Sequence, residues 1–87
     1  MPPRLDGVAG VGRKPIPKDG FLDICDYLGY IYGERRWRDP EGDFLYTWDG
    51  LHGELEVYDA RGHHLGTADP VTGERIKRAR KGRRIRV

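Results

Sequence analysis

The chain has 87 residues, 37% of them hydrophobic, with 13 glycines, one cysteine and a formal charge of +2. Such a length allows one small domain with a thin core; no apolar run is long enough for a membrane span, the first residues lack the basic-then-apolar layout of a signal peptide, and a lone cysteine excludes an internal disulfide or a cysteine metal cluster. The charge is uneven: residues 74–87 carry eight Lys or Arg against Glu74, a local +7 that leaves −5 on the other 73, which fits a polyanion such as nucleic acid or, more plainly, a solvated basic end.

Residues 1–20 hold Pro2, Pro3, Pro15 and Pro17 with Gly7, Gly10, Gly12 and Gly20, and read as a linker or extended arm ahead of a single domain over 21–87. Phe21, Ile24, Cys25, Leu28 and Ile31 recur at helical spacing, so a short helix is expected, with Asp19 available to cap it. Gly29 and the β-prone Tyr30-Ile31-Tyr32 limit its length, and Cys25 reads as a small buried hydrophobe. From Gly33 onward short strands alternate with turn residues: 34–38, 43–48, 51–58, 63–68 and 74–78, with an edge strand expected over 83–87. The expected fold class is α+β, a small, strongly twisted antiparallel meander with a short N-terminal helix.

The most informative run is Tyr46-Thr-Trp48-Asp49-Gly-Leu-His52-Gly-Glu54-Leu-Glu56-Val-Tyr58. A helix would put Asp49, His52 and Glu56 on one face, but Gly50 and Gly53 penalise it and Asp49-Gly50 favours a hairpin. Strand parity then sets His52, Glu54, Glu56 and Tyr58 on one face and Leu51, Leu55 and Val57 on the other. Asp49, at the turn, can bend back toward His52. A strand alternating His and Glu is ordinarily a solvent face; beside a cationic tail it is also the equipment for cutting RNA without a metal. Trp37 and Trp48 read as core or sheet packing, and His63 and His64 as strand-edge residues. Metal ligation is disfavoured, because no Cys or His pair has ligand spacing with a third ligand.

The pattern Tyr-x-Trp-Asp-x-x-His-Gly-Glu-Leu-Glu-x-Tyr, followed by His64-Leu65-Gly66, Asp69-Pro70-x-Thr72-Gly73 and a basic tail, closely resembles the cytotoxic ribonuclease domain of the ribosome-inactivating colicins and cloacin. The likeness runs from about Arg35-Arg36-Trp37 to the C-terminus; the N-terminal third matches only through Lys14-Pro15-Ile16-Pro17-Lys18, which suggests a relative carried by a contact-dependent or other polymorphic toxin. The resemblance implies a twisted antiparallel sheet with a helix near its N-terminus and a single cut in 16S ribosomal RNA at the decoding centre. It assigns catalysis to Asp49, His52, Glu56 and Arg83, with Arg84 or Arg80 as other candidates for the arginine, and places Tyr46 and Tyr58 at the active site. Lys77 and Arg84 are expected to contact RNA.

The chemistry agrees. A base must take the 2′-hydroxyl proton, an acid must protonate the leaving 5′-oxygen, and a cation must stabilise the phosphorane. Glu56, His52 and Arg83 fill these roles, the first two being exchangeable, and Asp49 orients His52. Tyr46 and Tyr58 are expected to stack on a base or bond the phosphate. No cofactor or metal is expected. The resemblance also implies a monomeric domain of a larger exported toxin that acts in the target-cell cytoplasm and is neutralised by an acidic immunity protein. A non-catalytic RNA- or ribosome-binding module is the alternative.

Overall fold

The computed structural model describes residues 13–87. Six antiparallel strands follow one another in chain order, β1 (Asp26–Ile31), β2 (Glu34–Arg38), β3 (Phe44–Asp49), β4 (Glu54–Asp59), β5 (His64–Ala68) and β6 (Arg75–Arg78), each bonded to the next. The meander expected from Gly33 onward is present. Register shifts between β1 and β2, β4 and β5, and β5 and β6 each add local twist.

The expected helix does not form. Among the described residues the helical part is a single 3-10 turn, Phe21–Ile24, so the α+β class gives way to an all-β sheet. The expected stripe is not buried as a unit: Phe21 and Cys25 pack against the core, but Ile24 is 64% exposed, while Leu22, off the stripe, is 8% exposed. Gly29 at φ +91° is closed to a helix, and Tyr30 and Ile31 pair instead with Arg35 and Glu34. Asp19 does not cap the turn; Gly20 holds that position without a side-chain bond.

Residues 1–12 of the expected linker lie outside the described residues. The rest is docked: the Lys14 N–H donates to the Gly50 carbonyl (2.6 Å), the Trp48 Nε1–H donates to the Lys14 carbonyl (3.0 Å), and Ile16 packs on the core. That core lies on one face of the sheet, where Trp37, Tyr46, Leu55, Val57 and Ala68 meet Leu22 and Phe21 from the preceding segment. Phe21 stands edge-on to Tyr46, with ring centroids 5.3 Å apart. Burial, reinforced by Asp39 and Asp26, pushes the Cys25 thiol up to about 11, which leaves it unreactive at neutral pH.

One chemistry builds four of the loops. Asp39, Asp49, Asp59 and Asp69, ten residues apart, each end or follow a strand and accept a backbone N–H from the loop beyond: Phe44 (2.7 Å), Leu51 and His52 (3.1 Å each), Arg61 and His63 (2.9 Å each), and Val71 and Thr72 (2.7 and 3.1 Å). Each aspartate carbonyl also accepts the N–H of a glycine with positive φ, namely Gly42, Gly53, Gly62 and Gly73. Such loops need a carboxylate at the start and a residue free to adopt left-handed geometry at the end.

The expected edge strand over 83–87 is reduced to an isolated bridge, His63 with Arg84, and a bond from the Ile85 N–H to the Gly62 carbonyl (2.8 Å).

Candidate active site

Residues paired across a ladder share a face. Arg36, Thr47, Glu56, Thr67 and Lys77 are successive partners from β2 to β6, so they form one polar line across the sheet, opposite the core. The tail closes over one end of it: the His64 N–H donates to the Arg83 carbonyl (3.0 Å) and the Arg83 N–H to the Arg80 carbonyl (3.1 Å). The result is a cavity of about 290 Å³ with Asp49, His52, Glu54, Glu56 and His64 on its walls together with Lys77, Arg78, Arg80 and Arg83.

Asp49 closes β3, and its carboxylate does two things. Oδ1 caps the loop, while Oδ2 meets His52 Nδ1 at 2.7 Å. The turn is longer than the expected Asp-Gly hairpin, since Asp49 pairs with Glu54 and His52 rides on the loop rather than on β4. Partial burial favours the neutral carboxyl, but the bonds from His52 outweigh it and hold Asp49 below the usual carboxylate range. His52 therefore faces an ionised partner with its ring exposed, 59% for the side chain.

Glu56 is buried and held from two sides. His64 Nε2 lies 2.8 Å from its Oε1, and the Arg83 guanidinium 3.6 Å from the same atom. The His64 tautomer follows from its other nitrogen, because Nδ1 accepts the Arg80 N–H at 2.8 Å and so carries no proton. Nε2 must then be the donor, and Glu56 Oε1 its acceptor. Arg83 also spans the Tyr58 ring at 6.0 Å. Burial raises the Tyr58 hydroxyl, with Arg83 pulling it partly back.

The structure brings Asp49, His52, Glu56, Arg83 and Lys77 together around one cavity, Lys77 through a 3.0 Å ion pair with Glu54. It separates others. Tyr46 alternates out of this line into the core, 5% exposed, where burial pushes its hydroxyl up to about 12. Tyr58 lies under Arg83 on the correct face, yet at 1% exposure its ring offers no stacking surface. Arg84 lines a different depression with Arg61 and Ile85.

His64 is the residue that sequence reading missed. Its neighbour His63 is the exposed one, bonded to Asp59 (3.2 Å), whereas His64 pairs with Tyr58 and so falls on the Glu56 face. We expect His64→Phe to slow single-turnover cleavage on the order of tenfold to a hundredfold by releasing Glu56 from its position. Affinity for uncleavable RNA should stay within about twofold. A rate equal to the unmodified domain's would show that Glu56 needs no such support.

Asp49, His52 and Glu54 also present one ligand atom each within 4.8 Å of one another. Lys77 already engages Glu54, and three arginines face the same space, so the field there favours an anion over a cation.

Comparison with known proteins bears on this arrangement. The family model described as Cytotoxic matches residues 32–86. Colicin E3 of Escherichia coli is 45% identical over 79 residues, and colicin E6 and cloacin, also of Escherichia coli, are each 44% identical over 82; all three alignments cover 86% of this chain. The chain spans only 13% of the length of each of these relatives. The matched span contains β2 to β6 and every residue around the cavity, and by it this chain belongs to the Cytotoxic domain family.

Proposed function

We propose that this domain is a metal-independent endoribonuclease of a bacterial toxin, cleaving 16S rRNA at the decoding centre and so halting translation. The observation that carries it is the coexistence, in one cationic cavity, of a buried carboxyl group bonded by His64 and a histidine held by a second carboxylate. In the proposed reaction the scissile phosphate sits among Lys77, Arg78, Arg80 and Arg83. Glu56 takes the proton of the 2′-hydroxyl, whose oxygen attacks the adjacent phosphorus. His52, oriented by Asp49 and entering the step with its proton, gives that proton to the departing 5′-oxygen. Arg83 stabilises the charge that builds on the non-bridging oxygens.

A purely binding module would contain the cations without Glu56. A buried carboxylate repels the phosphate that such a module must hold, whereas a group that takes the 2′-hydroxyl proton has to stand beside that phosphate. The likeness to colicins further supports placing the domain within a larger exported toxin, acting as a monomer in the target-cell cytoplasm and restrained in its producer by an acidic immunity protein that matches the basic rim.

The products test the chemistry. They should carry a 2′,3′-cyclic phosphate and a 5′-hydroxyl, form at the same rate in EDTA, and be absent from a substrate with a 2′-deoxy residue at the cut. Cleavage of the deoxy substrate, or complete inhibition by the chelator, would overturn the mechanism.

A further inference from the structure

The catalytic cavity continues beyond the scissile phosphate. A second depression of about 320 Å³ shares Asp49, His52, Glu56 and Arg83 with it. A third, of similar size, shares Arg13, Glu34 and Trp48 with the second and adds Tyr30 and Arg35 from the β1–β2 hairpin. The three form a passage from the site face, round the strand ends at Glu34 and Trp48, to the hairpin.

The far end of this passage has the makings of a nucleotide site. Tyr30 is 73% exposed, and its ladder partner is Arg35. The Arg35 guanidinium is fixed over two rings, 5.4 Å from the centre of Tyr27 and 5.1 Å from that of Trp37. Arg13 is brought alongside by the bond from Lys14 to Gly50, in the same loop that carries His52, and Trp48 is pinned through its Nε1–H. Among the described residues neither Arg13 nor Arg35 lies within 4.0 Å of a carboxylate. Fixed cations beside an exposed ring suit a single-stranded nucleic acid, whose phosphates and bases alternate, better than an uncharged ligand.

We propose that the β1–β2 hairpin forms a second nucleotide subsite, in which Tyr30 stacks on an unpaired base flanking the cut while Arg13 and Arg35 hold the neighbouring phosphates. This rests on the RNA-cleaving reading of the adjoining cavity. Glu34, at the junction, repels phosphate and favours a base or sugar there.

The test uses single-stranded 2′-O-methyl RNA, which keeps bases and phosphates but offers no nucleophile, in lengths of about four and eight nucleotides. Binding to the whole chain is followed by fluorescence anisotropy. The longer strand should bind more tightly, and Tyr30→Ala should remove about tenfold of its affinity while changing the shorter strand's by less than about twofold. Tyr30→Phe should restore the longer strand's affinity, and Arg35→Ala should flatten its salt dependence by about one unit of slope or less. Equal affinity of the unmodified chain and Tyr30→Ala for the longer strand would overturn the subsite and leave the cavity's role intact. Failure of the unmodified chain to bind either strand would overturn both. Tyr30→Ala that weakens an inhibitor protein's binding but not RNA's would make the hairpin a protein interface and refute the subsite.

Discussion

Glu56→Gln should lower the single-turnover rate of RNA cleavage by about a thousandfold, within the hundredfold to ten-thousandfold range that general acid–base groups supply. The substitution isolates the proton transfer because the geometry around it survives. The amide oxygen can still accept the His64 Nε2–H that now bonds Oε1 at 2.8 Å, and the side chain keeps its volume in a site that is 7% exposed. What disappears is the capacity to take a proton at neutral pH, and the ion pair with Arg83. Thermal stability should change little, whereas Glu56→Ala would strand the imidazole N–H and cost about 1–3 kcal/mol. RNA affinity should hold or improve, since a buried negative charge leaves the phosphate's surroundings. If the Glu56→Gln variant cleaved at more than about a tenth of the original rate, the base would have to be sought elsewhere, His52 being next.

Arg83→Ala should reduce the catalytic step about a hundredfold or more while weakening RNA binding far less. The experiment is clean because Arg83 supports the fold through its main chain: its N–H and carbonyl bond Arg80 and His64, and these bonds do not need the guanidinium. Arg83→Lys should recover only part of the rate, a point charge being a poor replacement for the planar fork. The neighbouring arginines behave differently by position. Arg86 lies over Tyr32 and Arg84 lines a separate depression, so their alanine variants should alter affinity and its salt dependence, not the rate on saturated substrate. Arg75 bonds the Leu65 carbonyl and lies over the Phe44 ring, so it should matter least. Single-turnover rates with independent binding curves decide the matter. If Arg83→Ala lost only affinity, Arg80 would become the candidate; Arg84 faces the wrong depression.

The strands β2 to β5 were legible because each lies between a Gly and an Asp that mark its turns, and β6 because Gly73 opens it. β1 was not, since its stability comes from β2, a partner that local periodicity does not register. Its apolar residues happen to fit a helical period, and only the bulge at Gly29 and the pairing with Arg35 and Glu34 decide otherwise. At the site, Asp49, His52 and Glu56 could be read from a single run of chain. Tyr46 shows the limit of a motif: the resemblance put it at the active site, whereas it alternates with Leu45 and Thr47 and shares the core face with Trp48. His64 required knowledge of register, because nothing in an adjacent histidine pair says which ring turns toward a glutamate eight residues back.

The ten-residue recurrence of loop aspartates separates what a corner does for the fold from what its location adds. Asp39, Asp59 and Asp69 show such a corner when no reaction is asked of it: it folds the chain back. Asp59 even holds a histidine, His63, on an exposed loop away from the cavity. The Asp49 corner differs in its neighbours: Glu54 across the turn, Glu56 nearby, and the Lys77, Arg78, Arg80 and Arg83 side chains around the same cavity. The molecule thus holds a second aspartate–histidine corner of the same build, at Asp59 and His63, beside Arg61 and Arg84 but outside the cavity that contains Glu56. On the proposed function, reactivity belongs to an address on the sheet, beside Glu56 and Arg83, rather than to the dyad itself, which recurs one hairpin further along the chain.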